Sequence, residues 1–357
     1  MIDEAYMKRC FDLAKCGVGN VAPNPMVGAV LVFDDKIIGE GYHRKCGGPH
    51  AEVNAIASVR RPELLKRSVL YVNLEPCSHY GKTPPCANLI IEKNIPEVVI
   101  ANVDPFPEVS GRGVNMLRAH GVKVTEGVLA EEGWNLNRRF FTFHTQRRPY
   151  VILKWAQSAD GFIDKIRSSA AEPPVVISNS MTSVLVHKLR SEESAILVAT
   201  HTALLDNPSL TSRGWNGKNP VRILLDRDLS VPAGYRLYDG ASRTLVFTEK
   251  ELGEKSPNVE CVVLPFDGPN RTLKIDSLLS ELYRLNIQSL VVEGGSALHR
   301  SFLDADLWDE MRVETALEMK LGKGVEAPNL CGTLVSEKLL GGHVVQWLRR
   351  DSQSCMV

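Results

Sequence analysis

Four side chains in the first quarter of the sequence have the types and spacing for metal chemistry. His50 and Glu52 lie in "GGPHAEVNAIASV", and Cys77 and Cys86 in "NLEPCSHYGKTPPCANLII". One imidazole and two thiolates suit a tetrahedral zinc ion, and three protein ligands leave a fourth position open for water, the catalytic form of such a site. Glu52 then stands beside the ion as a carboxylate free to take and return protons. In mid-helix, residues two apart face different sides, so His50 and Glu52 could not share a target there. At a helix start they can, because the capping residue has non-helical dihedrals. Gly47-Gly48-Pro49 predicts such a start at His50, and Pro84-Pro85 predicts another at Cys86. The helix dipole there favours a thiolate, which makes Cys86 the expected ready ligand. A fourth protein ligand would make the site structural instead, and Cys46 is the candidate for it.

The elements that carry these residues follow from periodicity. "MIDEAYMKRCFDLAKCGVGN" spaces Tyr6, Cys10, Leu13 and Ala14 at helical intervals, so it reads as an amphipathic helix and not as a targeting signal. "MVGAVLVF" and "KIIGEGY" flank Asp34-Asp35 as a hairpin. Strand "SVLYVNL", a helix from Cys86, strand "EVVIANV", a helix around Met116 and strand "VKVTEGV" come next. Such alternation predicts a largely parallel sheet with helices on both faces. "NRRFFTFHTQRRP" reads as a helix tail and a crossing into a second domain, with the boundary near residue 147. Strands "YVILKWAQSADG", "AILVAT", "VRILLD", "TLVFT", "ECVVLP", "SLVVEGG", "MRVETAL" and "HVVQWLR" make the second half α/β as well, with "LKIDSLLSELYRLN" a helix between them. "DSQSCMV" reads as a frayed end.

The totals set bounds on function. The 357 residues are 44% hydrophobic and 24% charged, which is globular composition and a length for two domains. Lys+Arg and Asp+Glu both number 42, so the basic excess of a nucleic-acid or anionic-membrane binder is missing. The apolar runs are strand-length, too short for a membrane helix. Eight cysteines in a chain with no secretory signal read as thiols or metal ligands, and the expected location is the cytoplasm. Self-association is left open by all of this.

Three stretches of the second half could bind. "VVEGGSALHRSFL" is a strand, two glycines and a helix start, where bare backbone N–H groups can meet a phosphate. "THTALLDNPSLTSR" reads as a loop leaving the strand "AILVAT", and "LKWAQSADG" ends a strand with Lys154 and small residues.

"HAE" and "EPC" satisfy the H-x-E…P-C-x-x-C signature of zinc deaminases, except that eight residues separate Cys77 from Cys86. With "PNPMVGAVLV" and "GEGYHRKCGGPH", these stretches resemble the deaminase domain of bacterial bifunctional riboflavin biosynthesis proteins, for which the longer cysteine spacing is typical. The resemblance continues through "VDPFPEVSGRGVNMLRAHGVKVTEGV" and covers nearly the whole chain. It implies a cytidine-deaminase-like three-layer α/β/α domain over 1–147 and a dihydrofolate-reductase-like α/β domain over 148–357. It also implies zinc and NADPH as cofactors. The activities implied are hydrolytic deamination of 2,5-diamino-6-ribosylamino-4(3H)-pyrimidinone 5′-phosphate, then NADPH-dependent reduction of its ribosyl group to ribityl.

Residue by residue, the resemblance makes Asn24, His43, His79 and Lys82 the lining of the pyrimidine and phosphate pocket. Ala156, Thr202, Asp206 and the run Gly295, Ser296, Ala297, Leu298, His299, Arg300 and Ser301 become cofactor contacts. Arg190, Leu210, Arg213 and Glu293 become substrate contacts, with the two arginines suited to a phosphate. Lys154 would protonate or polarise the opened ribose, and Arg227 is the candidate for the cofactor's 2′-phosphate. Many family members carry G-[DE]-S-x-W after the D-G strand end, whereas this chain reads "SSAAEPPVVISNS", so no site is placed between 165 and 180. Three alternatives remain at this level: a deaminase with an idle second half, a nucleic-acid base deaminase, and a non-enzymatic zinc scaffold. NADPH oxidation would exclude the first, salt-insensitive failure to bind RNA the second, and turnover the third.

Overall fold

Asp3 accepts the Ala5 N–H at 2.8 Å and caps α1 (Glu4–Lys15), whose buried stripe of Met7, Cys10, Phe11, Leu13 and Ala14 is the one its spacing predicts. β1 (Gly28–Phe33) and β2 (Lys36–Tyr42) pair antiparallel across Asp34 and Asp35, which both take positive φ (51° and 54°), the primed-turn conformation a two-residue hairpin needs. There follow α2 (Ala51–Ala57), β3 (Val69–Leu74), α3 (Cys86–Glu92), β4 (Glu97–Asn102), α4 (Arg112–Ala119), β5 (Lys123–Thr125), α5 (Ala130–Leu136) and α6 (Arg138–Gln146). This computed structural model describes residues 2–78, 84–106, 110–251, 258–268 and 272–351, and it divides into two compact units, 1–147 and 148–357.

In the first unit the strand order is β2-β1-β3-β4-β5. Only β3, β4 and β5 run parallel; β1 is antiparallel to both of its neighbours. The largely parallel sheet expected from the alternation is therefore parallel over three strands, and the hairpin supplies the rest, because a two-residue turn can join only antiparallel strands. Successive side chains feed opposite faces. Leu31, Val72 and Ile100 pack with Ile90 and Leu117, while Val30, Tyr71 and Val99 pack with Met7 and Phe11. The strand period of two thus covers the sheet on both sides and makes three layers.

The second unit contains β6 (Tyr150–Ser158), β7 (Phe162–Asp164), α7 (Ser180–Glu192), β8 (Ala195–Ala199), α8 (Thr200–Asp206), β9 (Val221–Leu225), β10 (Thr244–Thr248) and β11 (Val259–Val263). It continues with α9 (Ile275–Arg284), β12 (Ser289–Val292), α10 (Ser296–Asp304), β13 (Glu310–Ala316), β14 (Val325–Glu326), β15 (Thr333–Leu340) and β16 (His343–Arg349). Nine strands form one sheet in the order β11-β10-β9-β8-β12-β6-β13-β16-β15. It is parallel from β11 to β13 and antiparallel over β13, β16 and β15. A buried bidentate pair from Arg148 to Asp309 (2.6 and 2.8 Å) fixes the start of β6, and the same carboxylate accepts the Val151 N–H at 2.8 Å.

Two expectations change here. Residues 200–206 are a helix and not a loop, and Lys154 lies in mid-strand and not at a strand end. β15 escaped sequence reading because it is an edge strand exposed along nearly its whole length, with no alternation to betray it. Among the described residues no helix is long and apolar enough to cross a membrane.

Candidate active site

His50 caps α2 with extended dihedrals (φ −72°, ψ 167°), and Glu52 follows in the first turn. β3 delivers Cys77 just past its carboxyl end, and Cys86 opens α3 after Pro85. The three ligand atoms lie within 4.8 Å of one another, with His50 Nδ1 3.6 Å from Cys77 Sγ and 3.3 Å from Cys86 Sγ. Bonds of about 2.3 Å to sulfur and about 2.0–2.1 Å to nitrogen would give a tetrahedral N···S edge of about 3.6 Å. The donor set and its spacing fit zinc. Cys46 is exposed and stands outside this group, so among the described residues the fourth position has no protein ligand.

The two thiols lie close enough to shift each other. A hydrogen bond with Cys86 is the first cause that holds the Cys77 thiol well below its ordinary range, and the same bond, followed by burial, pushes Cys86 up. The helix start still acts, but through the Cys86 N–H, which points at Cys77 Sγ at 3.3 Å. Glu52 is 3% exposed, and burial pushes its carboxyl up to about 6.

The surroundings brace this trio. His43 is buried, which pushes its imidazole down; its Nδ1–H donates to the Pro49 carbonyl (3.0 Å) and its Nε2 accepts from Asn24 Nδ2 (3.0 Å). The His43 and His50 rings meet edge to face at 5.4 Å. Asn24 and His43 thus stand together beside His50. His79 and Lys82 lie outside the described residues. Glu75, which the sequence reading left without a role, accepts four backbone N–H groups, from Asp104, Gly111, Gly113 and Val114 (2.8–3.1 Å), and so ties the strand end that carries Cys77 to the start of α4.

In the second unit, Lys154, Arg190 and Glu293 converge. Arg190 donates to both Glu293 oxygens (3.0 and 2.7 Å), and Lys154 Nζ is 3.7 Å from Glu293. Against the upward push of burial, Arg190 first and then Lys154 hold the Glu293 carboxyl at about 2. Arg190 also donates to the Thr211 carbonyl at 3.2 Å, and exposed Arg213 sits beside the same residue, 3.5 Å from Thr211 Oγ1.

A cleft of about 460 Å³ opens at the carboxyl ends of β8 and β9, lined by Thr200, Arg227, Phe266, Leu273, Leu298 and Ser301 among others. Carboxyl strand ends are where open α/β sheets bind ligands. Gly295 donates its N–H to Thr202 Oγ1 (3.0 Å), and a side chain at Gly294 would meet Leu298 at 2.5 Å, so the backbone turns tightly into α10. Ser296 Oγ at that helix start is buried and has no partner among the described residues. Apolar walls, an arginine and a helix start with an unanswered hydroxyl fit a dinucleotide such as NADPH.

Residues 1–102 match the cytidine and deoxycytidylate deaminase zinc-binding region, and residues 149–339 match the RibD C-terminal domain. The riboflavin biosynthesis protein RibD of Aquifex aeolicus is 41% identical over 342 residues, covering 95% of this chain and 93% of that protein. The chain belongs to the RibD family. Its Escherichia coli relative is 34% identical over 354 residues, 95% of this chain and 93% of that one. Among solved structures, the diaminohydroxyphosphoribosylaminopyrimidine deaminase/5-amino-6-(5-phosphoribosylamino)uracil reductase of Thermotoga maritima superposes with a TM-score of 0.87 at 40% identity, covering 98% of each chain. Acinetobacter baumannii RibD gives 0.85 at 29% identity, over 98% of this chain and 99% of that one. With both regions on one chain, this RibD-family protein is a bifunctional deaminase and reductase whose residues fit Zn²⁺ and NADPH.

Several residues expected as reductase contacts have partners within the protein. Leu210 is 3% exposed and packs into the core with Ile152 and Leu189, so its side chain is unavailable to substrate. His299 is fully buried, its Nε2–H shared between the carbonyls of Lys154 (3.2 Å) and Val292 (3.1 Å), and burial pushes its imidazole down to about 4. It braces α10 from inside. Arg300 faces Glu326 at 3.7 Å, half exposed, and Asp206 is engaged by the buried Arg167, which also binds Asp164 at 2.7 Å. Ala297, Leu298 and Ser301 do line the cleft, and Ala156 sits on β6 in register with Glu314. Arg312 and Glu314 were missed. The signal was present in "MRVETAL": two charges at a spacing of two on an otherwise apolar strand must share one face.

Proposed function

We propose that residues 1–147 deaminate and residues 148–357 then reduce one small-molecule substrate, the diaminopyrimidine ribosyl phosphate of riboflavin synthesis. The observation that carries the first half is the trio His50, Cys77 and Cys86 with buried Glu52 beside it and a fourth position open. The net charge of zero supports a small-molecule substrate over nucleic acid and is compatible with a cytoplasmic enzyme.

His50, Cys77 and Cys86 would hold the zinc. When bound, zinc supplies a Lewis acid that makes water a nucleophile near neutral pH. Glu52 takes the water's proton and returns protons to the ring and to the departing ammonia. Its carboxyl, raised to about 6, is matched to that double role near neutrality. Asn24 spends its amide N–H on His43, which leaves its oxygen for the N–H groups of the pyrimidine. His43, by holding the Pro49 carbonyl, keeps His50 at the angle the site needs.

For the second step, NADPH supplies a hydride when bound, with Thr202, the Gly295 turn and the Ala297–Ser301 face of α10 as its cradle and Arg227 as the candidate for its 2′-phosphate. Lys154, its side chain 12% exposed and held by Glu293, would give the opened ribose the matching proton. Arg213 is the freer partner for the substrate's 5′-phosphate, since Arg190 is engaged by Glu293 and Thr211. Mass spectrometry of the diamino substrate incubated with the protein tests the order. Without NADPH a single product one mass unit heavier (NH replaced by O) should accumulate, and adding NADPH should add two hydrogens to it. Reduction of the undeaminated substrate at an equal rate would overturn the order.

A further inference from the structure

Arg312 occupies an interior strand, β13, with 2% of its surface exposed, and its two terminal nitrogens have no hydrogen-bond partner among the described residues. A buried cation without partners costs free energy, so the fold gains nothing from it. Register places Arg312 directly beside Lys154 of β6, and residues paired on adjacent strands share a face. Glu314, two residues on, lies on that face too. Its carboxylate is already engaged by Thr182 Oγ1 (2.7 Å), Ser178 Oγ (2.9 Å) and His343 Nδ1 (2.9 Å), as that of Glu293 is by Arg190. Arg312 therefore meets the field of both carboxylates and the hydrogen bonds of neither. Three cations, Lys154, Arg190 and Arg312, face two carboxylates, an excess of one positive charge.

We propose that Arg312 is a positioning residue for the reduction: an unpartnered guanidinium, kept against stability, whose charge readies Lys154 to release a proton and keeps Glu293 ionised. This rests on the reading of Lys154 as the acid. The groups around Lys154 are Glu293 after β12, Arg190 on α7, Arg312 and Glu314 on β13 and His299 on α10. Burial first pushes its ammonium down; Arg312 and Arg190 push the same way, and Glu293 and Glu314 oppose them. Without Arg312, Lys154 becomes a weaker acid and transfers its proton more slowly.

The test uses the full-length chain as wild type, Arg312→Met, Arg312→Lys and Lys154→Met. Arg312→Met should melt at the same or a higher temperature and deaminate at the wild-type rate. Its kcat for NADPH oxidation with the deaminated substrate should fall about tenfold at nearly constant KM, and the basic limb of the kcat profile should move up by about one pH unit. Arg312→Lys, which keeps the charge, should recover most of the rate. A lower melting temperature or failure of Arg312→Met to fold would make the arginine a structural brace and overturn the proposal. So would a wild-type rate and profile in Arg312→Met while Lys154→Met is inactive. A fully active Lys154→Met would instead remove the reading of Lys154 itself, and the proposal with it.

Discussion

The metal site of the first unit and the charged cluster of the second solve opposite problems. The first draws its ligands from residues 50–86, at two helix starts and one strand end, and its polar atoms answer one another within 3.3–3.6 Å. The second gathers Lys154, Arg190, Glu293, Arg312 and Glu314 from four separate elements and leaves one guanidinium without a hydrogen bond among the described residues. A metal ion demands geometry, which short loops and helix caps can specify locally. Proton delivery to a sugar, the role proposed for Lys154, demands an electrostatic environment, which a sheet that brings distant strands side by side can build. One site is tuned by position and the other by charge.

Removing zinc should separate the two most sharply. Chelation should abolish ammonia release while the same sample still oxidises NADPH with deaminated substrate, and loss of both activities would mean the sites are not independent. Next in size, Glu52→Gln should lower deamination by at least about 100-fold with zinc content and NADPH oxidation unchanged. Metal analysis showing zinc loss in that variant would make Glu52 a ligand.

Glu293→Gln probes the charge-tuned side through stability. The folded carboxyl lies at about 2, below the unfolded value of about 4.3, so its contribution is complete above about pH 4.3 and disappears as pH falls through 2. That shift corresponds to stabilisation on the order of 3 kcal/mol. The variant should thus melt well below wild type at pH 7, and the gap should close between about pH 4 and pH 2. A gap independent of pH would place the effect in packing rather than charge. The smallest effect expected is that of Arg213→Ala. The loss of one exposed phosphate partner should raise KM for the reduction about tenfold, a charge-assisted hydrogen bond's share, and leave deamination as it was.

Much of the first site was legible in the sequence because its information is local. Glycine and proline before His50, and two prolines before Cys86, announce the helix starts, and the four residue types announce the chemistry. The hairpin at Asp34-Asp35, the amphipathic first helix and most strands were equally plain, since periods of two and 3.6 are written into consecutive residues. What neighbouring residues cannot specify is which strand lies beside which. Parallel pairing of β6 with β13 joins residues more than 150 positions apart, and that pairing alone makes neighbours of Lys154 and Arg312. The same distance effect buries Leu210 and His299 against residues from other elements. Folding also brings the Cys86 N–H to Cys77 Sγ at 3.3 Å. The sequence by itself determined the candidate ligands, the candidate carboxylate and most element types, because each is a property of a few adjacent residues. The tertiary structure decided which charges face one another, because burial and strand order set the local dielectric and the neighbours through which those charges act.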